Sequence, residues 1–226
     1  MNSDQLLAAL QLADPALPIG RFAHSLGLEA MLIAHPDLAD SDLQELVETV
    51  LIEVAGPLDG AAAALAASAA ATPDLVALDR RLTALRLTPA SREASVSCGR
   101  RLAALAPTLT LRDPAHSFCE LVRDDDTGGN LAVVEGTIAA AIGLDPQAAA
   151  TLSVRGSATA LLSAAVRLGR LSASRSQQLI RQLQPTLIEA VRLATATRAD
   201  DLRATAPELD VYALAHARAD ARSFIT

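Results

Sequence analysis

Residues 12–30, Leu-Ala-Asp-Pro-Ala-Leu-Pro-Ile-Gly-Arg-Phe-Ala-His-Ser-Leu-Gly-Leu-Glu-Ala, contain a helix end, a corner and a second helix start. A helical run stops at Asp14-Pro15, because proline cannot continue a helix and pushes its predecessor toward extended backbone. Pro18, Ile19 and Gly20 make a tight corner, in which Gly20 allows a positive φ. A second helix is predicted over about 22–33 and carries Phe22, Ser25, Gly27, Leu28 and Glu29. Ser25 and Gly27 are small enough to admit a close neighbour, and Glu29 is a charge among apolar residues. The stretch supplies neither a nucleophile with its base nor a set of metal ligands. It reads as a shaped corner for packing or for meeting another protein.

The composition around it points to helices alone. The chain has 226 residues, 51% apolar but only 2% aromatic, with no Trp. Ala and Leu dominate and β-branched strand formers are sparse. An all-α, single compact domain of roughly ten helices spanning 1–226 follows, with a core of Leu, Val, Ile and Ala. All 19 basic residues are Arg. Without Lys there is neither a Walker-type phosphate loop nor Schiff-base chemistry. A net charge of −7 argues against nucleic acid, which requires a basic face. Cys98 and Cys119 form no CxxC pair and fit a reduced interior. The acidic N-terminus is unlike a signal peptide, and the longest apolar stretch, 60–72, is too short and weakly hydrophobic to span a bilayer. The chain reads as soluble and cytoplasmic, with no membrane partner.

Punctuation residues place the helices. Ser3 is the expected cap of a first helix with Leu6, Leu7, Leu10 and Ala13 on one face. Ser41 with Gln44 is a capping-box pattern opening a stripe of Leu43, Leu46, Val47, Val50, Leu51 and Val54, ended by Gly56-Pro57. An Ala-rich helix over 58–71 follows, then starts at Thr72-Pro73 and Thr88-Pro89. Further helices are expected at 115–122, 131–142, from Asp145-Pro146, at 174–182 and beyond Pro185. The segment 207–226 is either a docked helix or a partner-docking tail.

Each candidate for chemistry meets a physical objection. His24, His35, His116 and His216 are scattered, with none four residues from another His or Cys. Asp124-Asp125-Asp126-Thr127-Gly128-Gly129 lacks the alternating oxygens of a calcium loop and reads as a solvated helix–helix turn. The amides of Gly128-Gly129-Asn130 could cradle an anion, but the three aspartates would repel phosphate. Adjacent residues on a helix diverge by about 100°, so His24 and Ser25 make a poor nucleophile pair. Arg92, Arg100 and Arg101 share a helix with Ser95 and Gly99. They are either a solvated face paired to Glu93 or a partner-facing cluster. The only Tyr, Tyr212, lies in the tail with Phe224, His216, Arg218 and Arg222, which fits a docking segment.

The order Leu-Pro-x-Gly-x-Phe-x-x-Ser-x-Gly-Leu-Glu over 17–29 resembles the urease accessory proteins of the UreF type. Arg92-x-x-Ser95-x-x-x-Gly99-Arg100 is similar to a second family pattern. Pro207, Leu209, Asp210, His216, Arg222 and Phe224 are similar to the family's tail. The chain departs from the family at 130–135, where a His-x-Pro run is common, and at 169–173, where Pro-Leu-Gly-Gln is usual. The resemblance implies an all-helical, homodimeric, non-catalytic scaffold. Such a scaffold would bridge a nickel-carrying GTPase (UreG type), a second accessory protein (UreD/UreH type) and apo-urease. It implies no cofactor of its own, the nickel being handled by the complex. It also marks Pro18, Gly20, Phe22, Ser25, Gly27, Glu29, Arg92, Ser95, Gly99, Arg100, Tyr212, His216, Arg218, Arg222 and Phe224 as motif or partner-binding positions. The competing readings are a helical enzyme using Glu29 and His24, and a small-ligand binder, which the Ala-rich helices disfavour.

Overall fold

The stripe that begins at Leu43 organises the molecule, seen here in a computed structural model that describes residues 2–109, 111–216 and 223–225. Helix α3 (Asp40–Val50) buries Leu43, Val47 and Val50. It does not end at Gly56-Pro57. The backbone widens into a π-helical stretch, Leu51–Gly60, and runs on as α4 (Ala61–Ser68). Pro57 has no N–H for the Glu53 carbonyl and its ring would press on it. The wider turn relieves the ring, and Thr205 N–H donates to Glu53 O at 3.0 Å while Arg203 N–H donates to Pro57 O at 3.4 Å. Gly56, Pro57 and Leu58 are all buried, so a chain leaving the rod here would strand backbone polar groups in the core.

Small residues set the spacing around this rod. Ala61, Ala62 and Ala63 are fully buried, and α8 (Leu131–Ala141) packs so closely that a side chain at Gly136 would strike the Ala63 backbone. The rod also packs against α9 (Pro146–Arg167) and α11 (Gln184–Ala196), completing the central layer. On one flank lie α5 (Thr72–Leu85), α6 (Pro89–Leu105) and α7 (Ala115–Arg123). Helices α1 (Ser3–Ala13) and α10 (Ala173–Gln182) lean on α9, and α2 (Leu28–Ala34) pairs with α12 (Pro207–His216). Among the described residues there is no strand, and the fold is all-α.

The caps behave as their chemistry requires, with some shifts of position. Thr88 Oγ1 accepts Ser91 N–H at 3.1 Å and Asp145 Oδ1 accepts Ala148 N–H at 2.7 Å, as expected. Helix α1 is capped by Asn2 rather than Ser3, through a reciprocal pair with Gln5 at 2.9 Å each way. Helix α3 opens two residues earlier than Ser41 as its cap implied, with Asp42 accepting the Ala39 N–H at 3.0 Å. Thr72 is already the first residue of α5, with Ala71 as its cap. The shared face of α1 is turned outward: Leu6, Leu7 and Leu10 are exposed and Leu12 is its buried residue. By length and composition alone Asp40–Ser68 and Pro146–Arg167 could cross a membrane, a test that the buried core helix of a soluble protein also passes. Most of each is buried inside the fold.

Candidate functional site

The corner of 17–29 is tighter than a helix. Gly20 (φ 78°) leads into one 3₁₀ turn, Arg21–Ala23, and the left-handed pair Leu26 (φ 54°) and Gly27 (φ 90°) precedes α2. The continuous helix expected over 22–33 is therefore broken between Ala23 and Leu28. Two successive positive φ values are incompatible with a right-handed helix. The break turns His24 and Ser25 inward, where they are 5% and 0% exposed, while Pro18 stays at the surface and Phe22 is half-buried. His24 Nε2 lies 3.3 Å from Ser97 Oγ on α6. Burial, then the charge of Arg101, holds the His24 ring below the usual histidine range.

The C-terminal segment closes on this corner. A side chain at Gly27 would lie 2.7 Å from Leu209 O and 2.9 Å from Ala213 N, so α12 rests directly on the Gly27 backbone. Tyr212 Oη and His35 Nε2 share a hydrogen bond of 2.6 Å, with the rings edge to face. Buried Glu29 accepts the N–H of Ser223 at 2.8 Å and of Phe224 at 3.3 Å. The Phe224 ring is buried beneath Arg167, whose guanidinium carbon lies 4.3 Å from the ring centroid. Arg167 also donates to the Phe22 carbonyl, and Ile225 N–H donates to Ala23 O at 2.9 Å. Arg218 and Arg222 lie outside the described residues, as does the side chain of His216, whose backbone belongs to α12.

Helix α6 contributes a small-residue face and arginines that serve this chain's own backbone. Ser95 Oγ accepts Leu131 N–H at 3.2 Å, and Gly99 faces the backbone of Gly129 and Leu131 too closely for any side chain. Arg92 Nη1 donates to the carbonyls of Arg86 at 2.5 Å and Leu87 at 3.4 Å, just beyond the end of α5. Arg100 Nε donates to Gly128 O at 3.2 Å, and its guanidinium pairs with Asp125. The described contacts of Arg92 and Arg100 thus run to the neighbouring loops of this chain, while Arg100 stays exposed.

Several groups here were not singled out by sequence. Asp79, fully buried on α5, accepts from Thr127 Oγ1 at 2.8 Å, Gly129 N–H at 3.0 Å, Asn130 N–H at 2.6 Å and Asn130 Nδ2 at 2.9 Å. The loop amides do cradle an anion, but it is this carboxylate. Only the Asp124–Asp126 part of the loop is the solvated turn expected. The available signal was an acid inside the Leu75, Leu78, Leu82 stripe. Arg21 pairs with buried Glu135 at 2.9 Å, and Asp59 pairs with Arg86. These pairs, with His24 and Cys98, line a cavity of about 90 Å³. Burial raises the Cys98 thiol pKa above its ordinary value. Among the described residues no three His, Cys, Asp or Glu side chains gather to hold a metal. The groups at the corner hold backbone segments together.

A wider groove of about 760 Å³ lies between α9, α10 and α11, with Val154, Ile180, Leu187 and Ile188 lining it beside Arg155, Arg181 and Arg192. Across α11, Glu48, Glu53 and Glu189 line an acidic ledge around Ile52 and Pro185.

Comparison with known proteins places this arrangement. The UreF family model matches residues 39–184. The chain is 28% identical to the urease accessory protein UreF of Paenarthrobacter aurescens (strain TC1) over 226 residues, covering all of both chains. It is 32% identical over 211 residues to urease accessory protein UreF of Actinobacillus pleuropneumoniae, covering 88% of this chain and 93% of that one. Urease accessory protein UreF 2 of Brucella suis biovar 1 (strain 1330) is 29% identical over 223 residues, covering 97% and 91%. With a matched core, near-complete coverage and the same helical fold as expected, the chain belongs to the UreF family of urease accessory proteins.

Proposed function

We propose that the chain is a cytoplasmic, non-catalytic scaffold of urease maturation. It bridges a nickel-carrying GTPase of the UreG type, a second accessory protein of the UreD/UreH type and apo-urease. Nickel belongs to the assembled complex, and this chain needs no cofactor of its own. The observation that carries the reading is the convergence of all three family-like motifs on one junction. There, Glu29, Gly27 and His24 are engaged in fixing α12, the chain end and α6. Reactive groups tuned for catalysis would need access to a substrate, whereas Glu29 accepts main-chain N–H groups and His24 meets the Ser97 hydroxyl inside the fold.

The chain is also proposed to form a homodimer through the α9–α10–α11 groove. Arg192 and Glu189 already pair within the chain at 2.7 Å. The remaining groove arginines, Arg155 and Arg181, and ledge acids, Glu48 and Glu53, flank the same helix, so two copies related by a two-fold axis can set acid against base twice. The exposed Ile188 supplies the apolar anchor.

Two experiments test these readings. Co-purification with the tagged second accessory protein is expected to be lost on deleting the residues after Tyr212, with helicity by circular dichroism preserved; undiminished capture refutes the tail as a docking element. Light scattering of Ile188→Glu is expected to shift the protein from dimer to monomer, and an unchanged mass refutes the groove as the dimer face.

A further inference from the structure

We propose that Arg21 is a latch: its guanidinium, paired to Glu135, closes an inner polar chamber against a surface pocket, and the chamber takes water and other small uncharged hydrogen-bonding molecules. The chamber is the cavity of about 90 Å³ beside His24 and Cys98. A second cavity, of about 240 Å³, lies between α1, the corner and α9, with exposed Leu10, Asp14 and Pro15 in its lining. Arg21 and Gly156 line both cavities, so these two residues form the partition. Three elements meet there: the 3₁₀ turn brings Arg21, α9 brings Gly156 and α8 brings Glu135. Arg21 Nη2 lies 2.9 Å from Glu135 Oε1. A Cβ at Gly156 would overlap the guanidinium, so this glycine is the slot in which the latch rests. Arg21 fills an unspecified position of the 17–29 motif, and Glu135 falls in the stretch 130–135 where the chain departs from the family. The pair belongs to this chain rather than to the shared motifs.

The wall chemistry selects the occupant. The charges of the chamber are matched in pairs, Arg21 with Glu135 and Arg86 with Asp59. The rest of its polar wall is serine hydroxyls, the Cys98 thiol and the His24 ring, which suit hydrogen bonding to uncharged molecules better than an added ion. Arg21 Nε is buried and has no hydrogen-bond partner among the described residues. A buried donor beside a polar cavity is the place for an ordered water. At about 30 Å³ for each water, the chamber holds roughly three, or one small molecule of similar bulk. The latch can open without parting the helices. The Arg21 side chain is 16% exposed while Glu135 is held at 2%, so the arginine is the partner able to swing toward the surface pocket. That swing is a side-chain rotation, far smaller than local unfolding.

The two cysteines of the chain supply the test, because Cys98 lines the chamber while Cys119 is buried on α7 outside its lining. The probe is methyl methanethiosulfonate, small and uncharged, with labelling of each cysteine in the native full chain followed by peptide mass spectrometry. Cys98 is expected to react slowly in the unmodified protein. Gly156→Ala leaves every charge in place, favours the helix by its own propensity and displaces the guanidinium. It should speed labelling of Cys98 at least about tenfold and leave Cys119 unchanged. Glu135→Gln keeps the side-chain shape, weakens the hold on Arg21 and should act in the same direction. The anionic sulfonatoethyl analogue should remain at least about tenfold slower at Cys98 in both variants, and equal entry of the two reagents overturns the assignment to uncharged molecules. Rapid labelling of Cys98 in the unmodified chain, or undiminished protection in both variants, overturns the latch. Acceleration of Cys119 in step with Cys98 also overturns it, because the fold as a whole would then be loosening. No partner takes part, so each of these outcomes leaves the scaffold reading standing.

Discussion

Replacing Asp79 by alanine removes the anion around which residues 127–130 are wrapped. The carboxylate is fully buried and accepts one hydroxyl, two backbone N–H groups and one side-chain amide, at 2.6–3.0 Å. Each buried donor left without a partner costs about 1–3 kcal/mol. The four costs do not add, because the loop relaxes as one unit and the vacated space admits some water. A loss of about 4 kcal/mol is expected, the range found when one member of a buried charged network is deleted. Against a total of about 5–15 kcal/mol this is a large fraction of the stability. In a chain of this length it corresponds to a melting point roughly 10 °C lower. Urea unfolding followed by far-ultraviolet circular dichroism measures the free energy. Asp79→Asn keeps one acceptor and should fall about halfway between. A loss below about 1 kcal/mol for the alanine variant would mean that the loop is held by something else, such as Ser95 and Gly99 on α6.

Three further outcomes follow from the same contacts. Gly27→Ala places a methyl against Leu209 O and Ala213 N at a left-handed position, costing about 1–2 kcal/mol for the backbone alone. Trypsin should then cut after Arg203 roughly tenfold faster, and unchanged digestion counts against α12 resting on this glycine. Burial and Arg101 lower the His24 pKa, so the native site favours the neutral ring. The resulting stability is present above the ordinary histidine value of 6.5 and is lost as pH falls through the lower folded value. The stability gap between the native protein and His24→Gln should therefore shrink from about pH 7.5 to about pH 5, whereas a constant gap contradicts it. Burial pushes the Cys119 thiol up to about 11, so iodoacetamide at about pH 8 should label it only after unfolding. Its share of stability holds below 9.0 and declines as pH rises toward about 11. Rapid labelling of the native protein would refute the burial of this thiol.

The helices were legible because their signals are local. A cap side chain, a proline in the first turn and an apolar stripe act within a few residues, as at Thr88, Asp145 and α3. The Gly56-Pro57 break was not legible, because what overrides a local breaker is distant. Thr205 and Arg203 supply donors from beyond α11, and the surrounding helices bury the turn. The outward face of α1 has a similar origin. Helix periodicity shows that leucines share a side, but only the packing of α1 on α9 decides which side faces in.

The same distinction explains the anion cradle and the corner. Phosphate was a poor occupant of 128–130 because Asp124, Asp125 and Asp126 precede it, and they do stay at the surface. The occupant is Asp79, with Thr127 bonded to it across 48 positions of sequence. An internal carboxylate faces a different balance from a free anion, because its charge is tethered where four donors converge and the exposed acids point into water. At the corner, Glu29 was legible as a charge among apolar neighbours, and its partners were not, since Ser223 and Phe224 are 194 and 195 positions away. A buried charge in an apolar stripe thus marks a place where remote backbone must arrive to satisfy it. Asp79 and Glu29 obey that rule with different loops. This is the physical reason the family-like motifs at the two ends of the chain occupy one junction.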